Sequence, residues 1–204
     1  STAPEYNPLY DENGVLRDPE KILEFLAAVD AFNLAYQAAV DKDNIDITFK
    51  AFKHPDKPGV YLNLSDGKID QNDLFILGYY DEDAKEGYGL IYKDATTIRE
   101  PVKAMEFFAA VGAYYKAYDR LSETDKLIVD KILEGFINLT KRDKFLNLSD
   151  SLDAEDIFIL GYYDEVHAEG YGLIYEQDGK TLRDPEKCMQ FFLEADKFLK
   201  AYQA

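Results

Sequence analysis

The sequence predicts an all-α fold of about seven helices in a tandem pseudo-repeat, and three observations carry that prediction. The apolar residues of every long segment recur at helical spacing, not at strand spacing. Helix starts are marked by Asp-Pro, Glu-Pro and Ser-x-x-Asp, residues that suit a first helical turn. The chain also repeats itself. Of the 18 positions from Phe75 to Tyr92, all but Asp83, Ala84 and Lys85 recur between Phe158 and Tyr175, 83 residues on.

The first element opens at Arg17-Asp-Pro-Glu-Lys21 and returns at Arg99-Glu-Pro-Val-Lys103 and Arg183-Asp-Pro-Glu-Lys187. A tyrosine (Tyr10, Tyr92, Tyr175) and a short polar turn precede each opening. Asp18 and Asp184 are read as N-caps, with Pro19 and Pro185 at the first helical position, where a missing N–H costs nothing. Ile22, Phe25, Val29, Phe32 and Tyr36 then form one apolar stripe. Ala104, Phe107, Val111, Tyr114 and Tyr118 form the second, and Cys188, Phe191, Ala195, Phe198 and Tyr202 the third. Such stripes are read as core.

Ser122 to Asp125 opens a further helix whose expected buried face is Leu127, Ile128, Ile132, Leu133 and Phe136. Its shorter relative carries Ile45, Phe49 and Phe52 and breaks at His54-Pro55 and Pro58-Gly59. Asp70-x-x-Asp73 and Asp153-x-x-Asp156 read as caps for two short helices, at 72–80 and 155–163. The units run 10–91 and 92–174, with a closing helix in 175–204. Neither unit buries its stripe alone, so residues 1–204 are expected to form one repeat domain.

Composition narrows the function. The chain has 40 acidic and 23 basic residues, a net charge of −17. That disfavours nucleic acid and anionic membrane as partners, because both need a basic footprint. No apolar run is long enough for membrane insertion. A single cysteine leaves no internal disulfide and no Cys-based zinc site. The opening Ser-Thr-Ala-Pro-Glu and the sequons at Asn63, Asn138 and Asn147 give the expectation of a secreted or periplasmic protein, with glycosylation at those asparagines. The competing reading makes the same residues turns and caps.

Three constellations stand out as sites. Asp66-Gly67-Lys68-Ile69-Asp70, closing at Asp73, resembles the second half of an EF-hand or dockerin calcium loop. The front of such a loop falls on Leu62 and Leu64, which carry no oxygen ligand, so at most millimolar-class calcium binding is expected. The acidic exit loops, Asp81, Glu82 and Glu86 and then Asp164, Glu165, His167 and Glu169, offer carboxylates to a hard cation. The bland alternative is a packed turn meeting Arg99 and Arg183. Third, Tyr79, Tyr80 and Tyr88, with Tyr162, Tyr163 and Tyr171, form aromatic clusters suited to a small ligand or to helix packing.

No nucleophile elbow, P-loop, zinc-protease or dinucleotide motif occurs. The leading reading is therefore a non-enzymatic, acidic, extracytoplasmic repeat protein acting by binding or assembly. A divalent-cation (calcium) module and a carrier with a Tyr/Phe-lined pocket are the alternatives. The closing helix turns more polar, with Glu194, Asp196 and Lys197 where the middle helix has Ala110, Gly112 and Ala113. The first helix keeps Ala27, Ala28, Val29 and Ala31, so the N-terminal helix is the expected surface for a protein partner or for self-association.

Overall fold

The computed structural model describes residues 9–10, 14–82, 89–94, 96–165 and 172–203. The described part is all-α, 56% helical, with seven helices. They are α1 (Pro19–Ala38), α2 (Lys42–Phe49), α3 (Gln71–Glu82), α4 (Pro101–Asp119), α5 (Glu123–Leu133), α6 (Ala154–Glu165) and α7 (Pro185–Gln203). The chain divides into two compact units, Ser1–Phe108 and Ala109–Ala204, and the division falls within α4.

The helix starts follow the capping chemistry of the sequence. The Asp18 carboxylate accepts the Glu20 N–H at 2.9 Å, and Asp184 accepts from Glu186 at 3.0 Å. At α4, whose start lacks an aspartate, Glu100 accepts from Val102 and Lys103 instead. Ser122 Oγ accepts the Asp125 N–H and donates to the Asp125 carboxylate. The short helices carry reciprocal caps: Asp70 accepts from the Asp73 N–H and Asp73 from the Asp70 N–H, and Asp153 and Asp156 do likewise.

Isolated antiparallel bridges, Tyr10 with Leu16, Tyr92 with Ile98 and Tyr175 with Leu182, tie off the turn before each long helix. In these turns Asp94 and Asp178 accept the N–H groups of Thr96 and Thr97, and of Lys180 and Thr181. The Thr181 hydroxyl also donates to Asp178, and with the two N–H bonds it holds that carboxyl down at about 2.

In the first unit the core is aromatic. Phe32 stacks on Phe49 at 6.1 Å, Tyr36 stacks on Phe49 at 5.7 Å, and Phe108 meets Phe32, Phe49 and Phe52 edge-on. Thr48 Oγ1, fully buried, donates to the Phe108 carbonyl at 2.7 Å. In the second unit the core takes Val111, Tyr114, Tyr118, Val129, Leu133, Ile157, Leu160, Met189 and Phe192. Tyr118 donates to Asp130, and α5 lies beside α7.

Two expected core faces differ. Leu127 in α5 is exposed, and Val129 two residues on is buried in its place. In α7 the expected stripe is turned outwards: Phe191, Phe198 and Tyr202 are exposed, while Met189 and Phe192 are buried. The helix is apolar along more than one line, and the line it buries is not the one whose counterparts are buried in both α1 and α4.

Candidate functional site

The Asp66–Asp73 loop folds as a set of backbone caps. Asp66 accepts the Lys68 N–H at 2.9 Å, and Gly67 makes the turn at φ +75°. Asp73 sends one oxygen to the Asn63 N–H at 2.9 Å and the other to the Asp70 N–H at 3.0 Å. Burial pushes the Asp73 carboxyl up to about 6, although both N–H bonds oppose the shift. Asp156 repeats the pattern with Asn147 and Asp153, and burial raises it further. Leu62 and Leu64, which stand at the front ligand positions of an EF-hand, are buried in the core, so only the closing half of that likeness is present.

The exit-loop carboxylates divide in the same way. Asp81 accepts the Ile91 and Tyr92 N–H groups at 2.9 and 3.0 Å. The Arg99 cation stabilises its charge from nearby, and Arg99 Nε donates to the Gly89 carbonyl at 3.0 Å. Burial still wins and lifts Asp81 to about 7. In the second unit Asp164 accepts from Ile174 and Tyr175, and Arg183 donates to the Tyr175 carbonyl. Both aspartates therefore fix the chain after a helix to the helix itself. Glu165 is exposed. The Glu82 side chain and Glu86, His167 and Glu169 lie outside the described residues. Among those described, no group of three or more His, Cys, Asp or Glu is placed to hold a metal.

The tyrosines pack. Tyr80 lies edge-on to Phe52 at 5.1 Å and donates to the Lys53 carbonyl. Tyr163 lies edge-on to Phe136 at 5.1 Å and donates to the Ile137 carbonyl. Tyr79 and Tyr162 stack on Phe75 and Phe158, one helical turn back. Tyr88 and Tyr171 lie outside the described residues.

All three sequon asparagines close side-chain turns. Asn63, Asn138 and Asn147 each accept from the backbone and the hydroxyl of the residue two on, Ser65, Thr140 and Ser149. Asn138 is buried and its amide donates to Glu155, which leaves that side chain no room for a glycan in the folded chain.

The surface feature that sequence reasoning placed only in part is at the end helices. On α1 the exposed apolar residues are Leu23, Leu26 and Leu34, with Ala27 among them; Ala28 and Val29 are buried and Ala31 is half-buried. On α7 they are Phe191, Phe198, Leu199 and Tyr202. The available signal was a second apolar line on α1, since Leu23, Leu26 and Leu34 fall off the Ile22–Tyr36 stripe. No family model, no curated protein and no solved structure matches the chain.

Proposed function

We propose that the chain is a non-enzymatic, acidic, extracytoplasmic protein built from tandem helical repeats, and that it works by binding or assembly through its end helices. The observation that carries this reading is the fate of one sequence position. Tyr36 and Tyr118 are buried to 1% and 2% exposure, each hydrogen-bonded to an aspartate, whereas their counterpart Tyr202 is 84% exposed. Phe198, one turn back, is 73% exposed, against 2% for Phe32. A face of this kind, with several large apolar groups in line, marks an interaction surface more than chance scatter does.

Further support comes from the perturbed acids. Asp73 and Asp156 direct both oxygens, and Asp81 one, at backbone N–H groups, which is a structural use of a carboxylate. His54 stacks on Phe75 at 4.2 Å and accepts the Asp56 N–H, and burial lowers its pKa. The Cys188 thiol is pushed up to about 11 by burial, which makes it a poor nucleophile.

Sedimentation equilibrium across a hundredfold range of concentration tests the reading. A mass rising above the 23.3 kDa of one chain is expected. A constant mass of one chain up to millimolar concentration overturns assembly as the mode of action.

A further inference from the structure

We infer that His54 is an acid-released latch: its neutral ring caps the loop of residues 54–60 and holds it against α3, and a proton on Nδ1 frees the loop.

The loop reads His54-Pro55-Asp56-Lys57-Pro58-Gly59-Val60. The His54 N–H donates to the Val60 carbonyl at 2.9 Å, and the Val60 N–H to the Lys57 carbonyl at 3.1 Å. The ring closes the turn from its other side. Nδ1 accepts the Asp56 N–H at 3.1 Å, and the ring stacks on Phe75 of α3, with centroids 4.2 Å and planes 12° apart. A ring nitrogen that accepts carries no proton, so the hydrogen of the neutral ring is on Nε2. Nε2 is covered and has no partner among the described residues.

The second unit shows the same cap without a titratable group. Asn138 stands where His54 does: its N–H donates to the Lys144 carbonyl at 2.8 Å, and its Oδ1 accepts the Thr140 N–H, two residues on, at 2.8 Å. An amide oxygen accepts at any pH. Nδ1 has one lone pair, and a proton takes it. Protonation therefore sets one N–H against another across the Asp56 contact, and places a cation where Nε2 has no acceptor. The Asn138 amide donates to Glu155, but the matching residue in the first unit, Asn72, already accepts from Lys57 Nζ at 2.8 Å.

The charges around the ring lie on the loop itself. Lys57 opposes its protonation and Asp56 favours it, while α3 faces it with Phe75, which does not titrate. Asp73 of α3 is committed to the Asn63 and Asp70 N–H groups, and Tyr80 to the Lys53 carbonyl. Burial first, and then Lys57, lower the His54 pKa. The cap is thus fully present above the ordinary histidine value of about 6.5 and is lost as pH falls through the lowered one. Asp73 and Asp81 shift the other way, so the latch opens locally in a chain that acid otherwise stabilises.

NMR of the whole chain reads both halves of the latch. The chain has two histidines, His54 and His167, and H54N identifies the His54 signals by their loss. His54 is expected to show the Nε2–H tautomer at neutral pH and to titrate below about 6.5. In H54N an amide oxygen replaces Nδ1, as in Asn138, so the cap no longer titrates. The Asp56 and Val60 amide exchange rates, wild type over H54N at the same pH, should be flat above neutrality and climb through the His54 midpoint. Each unit by which His54 titrates below its ordinary value corresponds to a tenfold rise in that ratio. Carboxylates titrate alike in both chains and cancel. A His54 midpoint at or above about 6.5 overturns the latch, as does a ratio that stays flat while His54 titrates. Should H54N lose far-UV circular dichroism, the wild-type chain decides alone. Its Asp56 exchange must then depart from ordinary base catalysis at the His54 midpoint, and no departure overturns the latch.

Discussion

Tyr36 donates its phenol hydrogen to Asp46 at 2.7 Å, across the turn that joins α1 to α2. Tyr118 and Asp130 make the same bond at 2.7 Å between α4 and α5. Burial, reinforced by the neighbouring carboxylate, raises both phenols well above their usual range, so each stays a donor at any physiological pH. A hydrogen bond to a charged acceptor is worth about 1.5–3 kcal/mol, less where the acceptor keeps some water. Tyr118→Phe should therefore cost about 1–2 kcal/mol in urea unfolding. A double-mutant cycle with Asp130→Asn should return most of that as coupling. Coupling near zero would place the stabilisation in ring packing alone.

The buried carboxylates set the pH response. Asp73 and Asp81 have folded values of about 6 and 7 against 3.8 unperturbed, and Asp156 moves the same way. Between the unperturbed and folded values the native state binds more protons than the unfolded chain, so stability falls as pH rises through that window. Asp94 and Asp178 shift oppositely, but both are fully exposed and their effect lies below pH 4. The urea midpoint should be higher at pH 5.5 than at pH 8, by an amount corresponding to a few kcal/mol at most. A midpoint that rises from pH 5.5 to pH 8 would show that the N–H bonds to Asp73 and Asp81 outweigh their burial.

A third expectation concerns a loop that is one residue shorter in the second unit. Where the first unit has Gly67 at φ +75°, the second has lost a residue and holds Ser151 at φ +109°. A side chain there carries backbone strain of order 1–3 kcal/mol. Ser151→Gly relieves it, partly offset by the greater freedom glycine has when unfolded. A net gain of about 1 kcal/mol, seen as a higher thermal midpoint, is expected; no gain would mean that the surrounding turn accommodates the serine without strain.

Local chemistry was legible in the sequence where it depends on neighbours in the chain. The caps at Asp18, Ser122 and Asp70, and the turns that end at Arg99 and Arg183, follow from residue types a few positions apart. The calcium-like loop left two readings open in the sequence because an acidic cap and an ion ligand have the same spacing. In the structure Leu62 and Leu64 are buried and Asp73 accepts from the Asn63 and Asp70 N–H groups, which is the capping use of that spacing. Burial of a particular helical face was legible only where the partner helix was also clear. Leu127 and Val129 are both apolar, and periodicity alone does not say which meets the core. α7 is the larger case, since Phe191 and Phe192 are adjacent and lie on different apolar lines.

That last point gives the sharpest test of the packing. Phe107 and Phe191 occupy the same place in the repeat, yet Phe107 is 6% exposed and Phe191 is 68% exposed. Phe107 also lies against Phe108, with ring centroids 5.7 Å apart, so truncating it leaves a cavity within a continuous aromatic cluster. Phe107→Ala should cost about 3–5 kcal/mol, the range for a buried phenylalanine. Phe191→Ala removes a ring that is mostly in water, and should change stability by about 0.5 kcal/mol or less at concentrations where the chain is monomeric. Unfolding the two variants side by side in urea, at micromolar concentration, makes the comparison independent of any error common to both. Equal losses would mean that α7 presents the Phe191 line to the core as α4 presents the Phe107 line. The exposed face on which assembly depends would then not exist.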